Sequence, residues 1–243
     1  MIVFLHGVPE TSHIWQKVQA AIGRPSQAWD LPGFGCPRPA GFSATKDAYV
    51  DWVVDRIESL GEPVDLVGHD WGAGITYGVV TQRSTNIRSW AADVGAIMHP
   101  HYEWHDFAKI WQTPEEGEAF VAAQNEMPLD QRAQMFEGLG VPHDDALAMA
   151  GASDATMGSC ILDLYRSAMP NPHSHWGPWE MTMAPGLVIH PRNDPFDDEA
   201  RSREVADELG AQHVTIEASH FWGYEAPEEG ARALTAFWDS LPG

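Results

Sequence analysis

The run VDLVGHDWGAGITYG, residues 64–78, sets Asp70 between glycines at the end of a short apolar stretch. Val64, Leu66 and Val67 read as a buried strand, and the small residues Gly72, Ala73 and Gly74 open a helix packed close against it. Gly68 and Gly72 suit a turn so sharp that its central residue is held in a strained backbone conformation and neighbouring chain comes too close for side chains. Corners of this kind commonly present a serine nucleophile, and here a carboxylate stands in its place. A carboxylate can displace a leaving group from saturated carbon and become an alkyl ester, which water must then cleave. The second step needs a general base, so a histidine and a group that orients it should follow downstream.

Outward from this corner, strands and helices alternate. Ile2 to Leu5 reads as a strand ended by the turn His6-Gly7-Val8-Pro9, and Thr11 to Ile22 carries a short helical pattern. Gln27 to Asp30 is a strand candidate running into the turn-forming loop Leu31-Pro32-Gly33-Phe34-Gly35. The spacing of Ala48, Val50, Trp52, Val53, Ile57 and Leu60 predicts a helix over Lys46 to Leu60. After the corner helix, to about Thr81, a strand is expected from Ser89 to Val94. The alternation resumes with strand Gly186 to His190, helix Asp198 to Leu209, strand His213 to Ile216 and helix Glu228 to Ser240. Such a rhythm implies an α/β fold with a mostly parallel sheet covered on both faces.

Between residues 97 and 183 the rhythm breaks. This segment holds Trp104, Trp111, Trp176 and Trp179 and helical stretches at Pro114 to Asn125 and Ala152 to Ala168, with no convincing strand. It reads as a helical cap inserted into a core made of residues 1–96 and 184–243.

Composition narrows the function classes. A chain of 243 residues suffices for one large domain with an insertion. A formal charge of −21 argues against nucleic-acid partners, which require a positive face. Cys36 and Cys160 form neither a metal spacing nor a disulfide framework, and the opening MIVFLHG has neither the basic segment of a signal peptide nor the length of a membrane span. A cytoplasmic protein without membrane attachment is expected. His99, His101, His105, His173 and His175 lack the acidic or cysteine partners of a metal site, and the chemistry calls for no metal or cofactor.

The downstream partners are present. Asp194 follows one late strand in LVIHPRNDPFDDE, and His220 follows the next in VTIEASHFWGYEAP. Both are expected at the same sheet edge as Asp70, because chemistry in open α/β sheets collects beyond the carboxyl ends of the strands. The order nucleophile, acid, histidine, together with the segments FLHGVPET, DLPGFG, GHDWGAG, RNDPF and ASHFW, resembles the α/β-hydrolase superfamily. Within it the carboxylate places the chain near the aspartate-nucleophile branch of epoxide hydrolases and haloalkane or haloacetate dehalogenases.

The resemblance implies further roles. Val8 and Trp71 would offer backbone N–H groups to the oxyanion of ester hydrolysis, with a cis peptide before Pro9. Asp93, at the end of the strand Ser89 to Val94, is a second candidate for the acid beside Asp194. Relatives carry strands ahead of the His-Gly strand with which this sequence opens, which implies either a sheet of about six strands or an edge covered in a homodimer. Leu164-Tyr165-Arg166-Ser167 resembles the cap segment carrying an epoxide-activating tyrosine, so Tyr165 is expected to donate to the epoxide oxygen. At Ile110-Trp111-Gln112-Thr113-Pro114 the second family tyrosine is replaced, leaving Tyr102, or Trp111 with a histidine, as substitutes. The expected activity is opening of a small apolar epoxide to a vicinal diol with water. The alternative is dehalogenation by the same Asp70 and His220, with halide held by the Trp71 and Trp111 indoles. A non-catalytic binding protein on the same frame is a third reading, from a different class.

Overall fold

A computed structural model describes residues 1–83, 85–176 and 182–242; Trp179 lies outside them. Among the described residues, six strands form one wholly parallel sheet: β1 (Ile2–Leu5), β2 (Ser26–Trp29), β3 (Val64–Gly68), β4 (Ile87–Ala92), β5 (Gly186–Pro191) and β6 (Gln212–Ile216), in the order β2-β1-β3-β4-β5-β6. The order reverses beside β1, and strands are joined through helices, as parallel pairing requires. This is the α/β-hydrolase fold expected from the corner motif.

Both sheet faces are dry. Along β1, Val3 and Leu5 pack on one side with Val50 and Val53 of α2 (Lys46–Leu60) and Ile75 of α3 (Trp71–Gln82). Ile2 and Phe4 point to the other, against Val18 of α1 (Gln16–Ile22) and Leu234 and Phe237 of α11 (Pro227–Ser240). This two-residue alternation, apolar in both directions, makes the central strands read as continuous hydrophobic runs. Farther along the sheet, Trp90 and Val188 meet Val205 and Leu209 of α9 (Glu199–Leu209).

Between β4 and β5 lie α4 (Asp106–Gln112), α5 (Glu116–Glu126), α6 (Leu129–Glu137), α7 (His143–Ala152) and α8 (Ala155–Ser167). The helix expected from Ala152 to Ala168 is shorter at its start. Ala152 ends α7, and Asp154 then adopts an extended conformation and accepts the Met157 N–H at 2.8 Å, capping α8. Similarly, the fourth strand runs from Ile87 to Ala92, so Asp93 lies just beyond it, and Val94 turns left-handed at φ 42°. A short α10 (Trp222–Glu225) follows β6, and no described helix is long and apolar enough to cross a membrane.

Steric crowding at the corner explains its glycines. A Cβ on Gly68 would lie 2.2 Å from the Gly72 carbonyl oxygen, and one on Gly72 would lie 2.3 Å from that of Leu5. Both obstacles are backbone and cannot rotate away. Gly72→Ala is therefore expected to destabilise the protein by about 1–3 kcal/mol or more, the usual cost of overpacking. Gly151→Ala in α7, where nothing lies within 4 Å, should leave stability unchanged or raise it by about 1 kcal/mol or less. Urea denaturation of the two variants beside the wild type measures the difference.

Candidate active site

The sharp corner leaves Asp70 at φ 51°, ψ −117°, a strained conformation for a residue with a Cβ, at the N-terminus of α3. Its carboxylate faces the loop after β1. A Cβ on Gly7 would meet Asp70 side-chain atoms at 2.4 Å, so only glycine lets this loop approach. The Val8 N–H donates to Asp70 Oδ1 at 2.7 Å, and the Trp71 backbone N–H also favours the charged carboxylate. The two backbone groups expected at an oxyanion site thus converge on one carboxylate. The Val8–Pro9 peptide is cis.

His220 lies beside this carboxylate, its Nε2 3.9 Å from Asp70 Oδ2. On the far side of the ring, Nδ1 bonds Asp194 Oδ2 at 2.8 Å, and the Phe196 N–H donates to Asp194 Oδ1 at 2.8 Å. This fixes the tautomer: Nδ1 carries the proton and Nε2 is left basic toward Asp70. Burial raises Asp70 to a pKa of about 6, partly opposed by the charges of His220 and His69. Burial alone would raise Asp194, but the adjacent His220 charge and its hydrogen bond bring it below the usual carboxylate range. Reciprocally, burial would lower His220, and Asp194 overcomes this and raises it.

Asp93 orients a different histidine. Its Oδ2 accepts from His69 Nδ1 at 2.5 Å and from the Trp222 indole N–H at 2.6 Å, while Oδ1 accepts the Asp70 N–H at 2.9 Å. The second His69 nitrogen, Nε2, lies 3.0 Å from Glu10 Oε1, and Glu10 Oε2 takes the Gly7 N–H at 3.0 Å. With carboxylates at both nitrogens, each must carry a proton, so His69 is an imidazolium. Burial opposes this charge, yet Asp93 and Glu10 raise its pKa well above the ordinary value. The His69 and His220 rings pack 4.8 Å apart.

Neither Glu10 nor His69 was assigned a role from the sequence, although both lie inside the motifs FLHGVPET and GHDWGAG. The available signal was a pair of ionisable residues in segments that had to be buried at the sheet edge. A buried charge requires a partner, and the partners lie in three separate segments.

The cap closes the site with aromatic rings. Tyr165 lies in a nest formed by Trp71 at 5.3 Å, Trp104 at 5.3 Å, Trp111 at 4.7 Å and His105 at 6.3 Å between ring centroids. Tyr165, His105 and Trp111 line a cavity of about 220 Å³ together with Asp70 and His220, and Tyr102 lines a small adjoining pocket beside Asp70. Burial, then the Asp70 charge, raise the pKa of both Tyr165 and Tyr102, so both phenols stay protonated. Among the described residues, the buried Trp104 and Trp111 indole nitrogens have no hydrogen-bond partner. His105 accepts the Ala108 N–H on Nδ1 at 3.2 Å, so its neutral form carries the proton on Nε2. Burial lowers its pKa to about 4, which keeps it neutral. Among the described residues, no group of three or more His, Cys, Asp or Glu side chains is placed to hold a metal.

Known proteins share this fold. Residues 2–233 match the model of the alpha/beta hydrolase family. A haloalkane dehalogenase of Bradyrhizobium diazoefficiens is 26% identical over 228 residues, covering 91% of this chain and 68% of the relative. An (E)-2-((N-methylformamido)methylene)succinate hydrolase of Acinetobacter baylyi is 22% identical over 252 residues, covering 99% of this chain and 91% of the relative. In structure, the chain is similar to a mutant of an epoxide hydrolase from Bacillus megaterium, with TM-score 0.79 and 21% identity, covering 98% of this chain and 93% of the other.

The buried imidazolium makes a prediction independent of substrate. Asp93→Asn leaves the His69 charge with one carboxylate instead of two and should cost about 3–5 kcal/mol of stability at pH 7, read by urea denaturation. In the wild type, the raised pKa means that the His69 contribution is complete below the unfolded-state value and is lost only as pH rises through the folded-state value. Nitrogen-15 NMR of the His69 ring should therefore show both nitrogens protonated through pH 8.

Proposed function

The chain belongs to the alpha/beta hydrolase family, and from that premise we propose that it is an epoxide hydrolase acting through a covalent ester on Asp70. The observation carrying the reading is the pair of neutral donors, the Tyr165 hydroxyl and the His105 Nε2–H, that share one cavity with Asp70 and His220. An epoxide oxygen becomes an alkoxide when its ring opens, and a positioned acid or hydrogen-bond donor stabilises that charge.

In the first step, Asp70 Oδ2 attacks a ring carbon. The carbon–oxygen bond breaks, and the departing oxygen takes the Tyr165 proton with His105 as the second donor. Asp70 Oδ1 becomes the ester carbonyl oxygen, already held by the Val8 N–H at 2.7 Å. In the second step, His220 Nε2 takes a proton from water, and the water oxygen adds to Asp70 Cγ. The Val8 and Trp71 N–H groups stabilise the resulting oxyanion. As the oxyanion collapses, the Cγ–Oδ2 bond breaks and the vicinal diol leaves with Oδ2, taking its proton from the new Cγ–OH group, so that Asp70 is again a carboxylate. The proton held by His220 returns to the Tyr165 oxygen. Asp194 throughout keeps the His220 ring in the required tautomer and stabilises its charged form. The apolar walls of the cavity suit a small apolar reacting end.

A second reading is hydrolysis of a carbon–halogen bond by the same Asp70 and His220. Trp111, which lines the cavity and whose buried indole nitrogen has no hydrogen-bond partner among the described residues, favours it, because weak N–H donors suit a departing halide. Against it, Val8 offers no side-chain donor.

The test supplies terminal and aryl epoxides in one series and chloro- and bromoalkanes in another, with diol and halide both assayed. Diol formation is expected; halide release without diol would transfer the assignment to the second reading. Asp70→Asn should lose on the order of 10³–10⁴-fold or more in kcat. His220→Gln should form the ester but not cleave it, and intact-protein mass spectrometry should find the enzyme heavier by one substrate. Wild-type activity should fall on acidification, since Asp70 must be ionised above about 6 to attack and His220, raised above the ordinary imidazole value, must be neutral to activate water.

A further inference from the structure

The cavity does not end at the catalytic side chains. On α8 it touches Asp154, Met157, Gly158, Ile161 and Tyr165, spaced so that all share one face of the helix. Tyr165, beside the nucleophile, lies eleven positions beyond Asp154, a span of about 16 Å at the helical rise. The space is thus a channel along α8, apolar in its middle, with a different chemistry at its outer end.

That end holds Arg132 of α6. Its Nη1 donates to the Ser153 carbonyl oxygen at 3.2 Å, which fixes the guanidinium beside the start of α8. Its Nε is buried and has no hydrogen-bond partner. Most of the other Lys and Arg side chains have an acid within ion-pair distance, as in Arg38–Asp163, Arg83–Asp51 and Arg166–Glu118. Among the described residues, Arg132 has none, although the protein carries a formal charge of −21. Asp154 is the acid that lines the same end, and one of its oxygens is committed to the α8 cap. A partly buried guanidinium without a counter-ion, facing a substrate channel, is costly unless an anion arrives with the ligand.

We infer that Arg132 binds a carboxylate, and that the substrate is a chain whose anionic end lies at Arg132 while its reacting carbon lies at Asp70. The proposal rests on the epoxide reading for the reacting end and adds the recognition of the other end. Arginine suits this role because its planar donors match a carboxylate in a two-point contact. Allowing for contact distances at both ends, the span calls for a chain on the order of ten bonds, given a carbon–carbon length of about 1.5 Å. Arg132 is a specificity residue here and takes no part in bond breaking.

Two measurements test the inference separately from the chemistry. In the first, 9,10-epoxydecanoic acid is compared with its methyl ester in the wild type, Arg132→Gln and Arg132→Lys. The acid should exceed the ester by at least about tenfold in kcat/KM. Arg132→Gln should abolish the preference, chiefly by raising KM for the acid rather than by lowering kcat, and Arg132→Lys should restore part of it. In the second, binding of unreactive decanoate and decanol is measured by calorimetry. Decanoate should bind the wild type at least about tenfold tighter than Arg132→Gln, and decanol should not distinguish them. If no epoxide is opened but decanoate binding depends on Arg132, the epoxide reading fails and the carboxylate site stands. If decanoate binds wild type and Arg132→Gln alike, or an acid preference survives Arg132→Gln, the inference is overturned.

Discussion

One buried cation ties the site together. His69, held between Glu10 and Asp93, links the loop after β1, the corner after β3 and the end of β4. Through the other oxygen of each acid the same group reaches the Gly7 and Asp70 N–H groups, and through Trp222 it reaches the segment after β6. These are the segments that must be mutually fixed for a carboxylate, an oxyanion site and a general base to meet. Four carboxylates, Glu10, Asp70, Asp93 and Asp194, crowd this sheet edge. Without the charge of His69, their repulsion would add to the cost of burial.

The two histidines divide the electrostatic work through their partners. His69 has an acid at each nitrogen and is locked as a cation, whereas His220 has Asp194 at Nδ1 and a carboxylate 3.9 Å from Nε2. The longer separation leaves Nε2 free to take and release a proton. The same contrast separates the two candidate acids: Asp194 points at the His220 ring, while Asp93 is saturated by His69, Trp222 and the Asp70 backbone. In the cap, the polar atoms facing the cavity beside Asp70 are neutral, which suits a reaction whose developing charge resides on the substrate.

The fold was legible wherever local sequence carries a strong periodic or steric signal. The helix over Lys46 to Leu60 starts and ends where its apolar spacing indicates. The six strands announce themselves as short apolar runs before turns, with ends displaced by one or two residues, as between Ser89–Val94 and Ile87–Ala92. Inside the cap the signal failed at Ser153-Asp154: the apolar spacing continues across the break, and only the cap hydrogen bond of Asp154 shows that α7 and α8 are separate helices. The positions of Asp70, Asp194 and His220 were readable because each follows a strand and so arrives at one edge. Glu10 and His69 were not, because an isolated acid or histidine in a motif says nothing of the partners that will surround it.

What local sequence determined is the parallel α/β frame, the carboxylate at the corner and the convergence of the strand-following loops at one edge, since backbone sterics and hydrophobic periodicity act over a few residues. What only the tertiary structure decided is which acid faces which histidine, that His105 presents its Nε2–H, and that Arg132 ends a channel beginning at Asp70. Each of those depends on side chains far apart in the chain meeting at hydrogen-bond or cavity distance. Protonation state and recognition are set by burial and neighbouring charge, and both are properties of the packed chain.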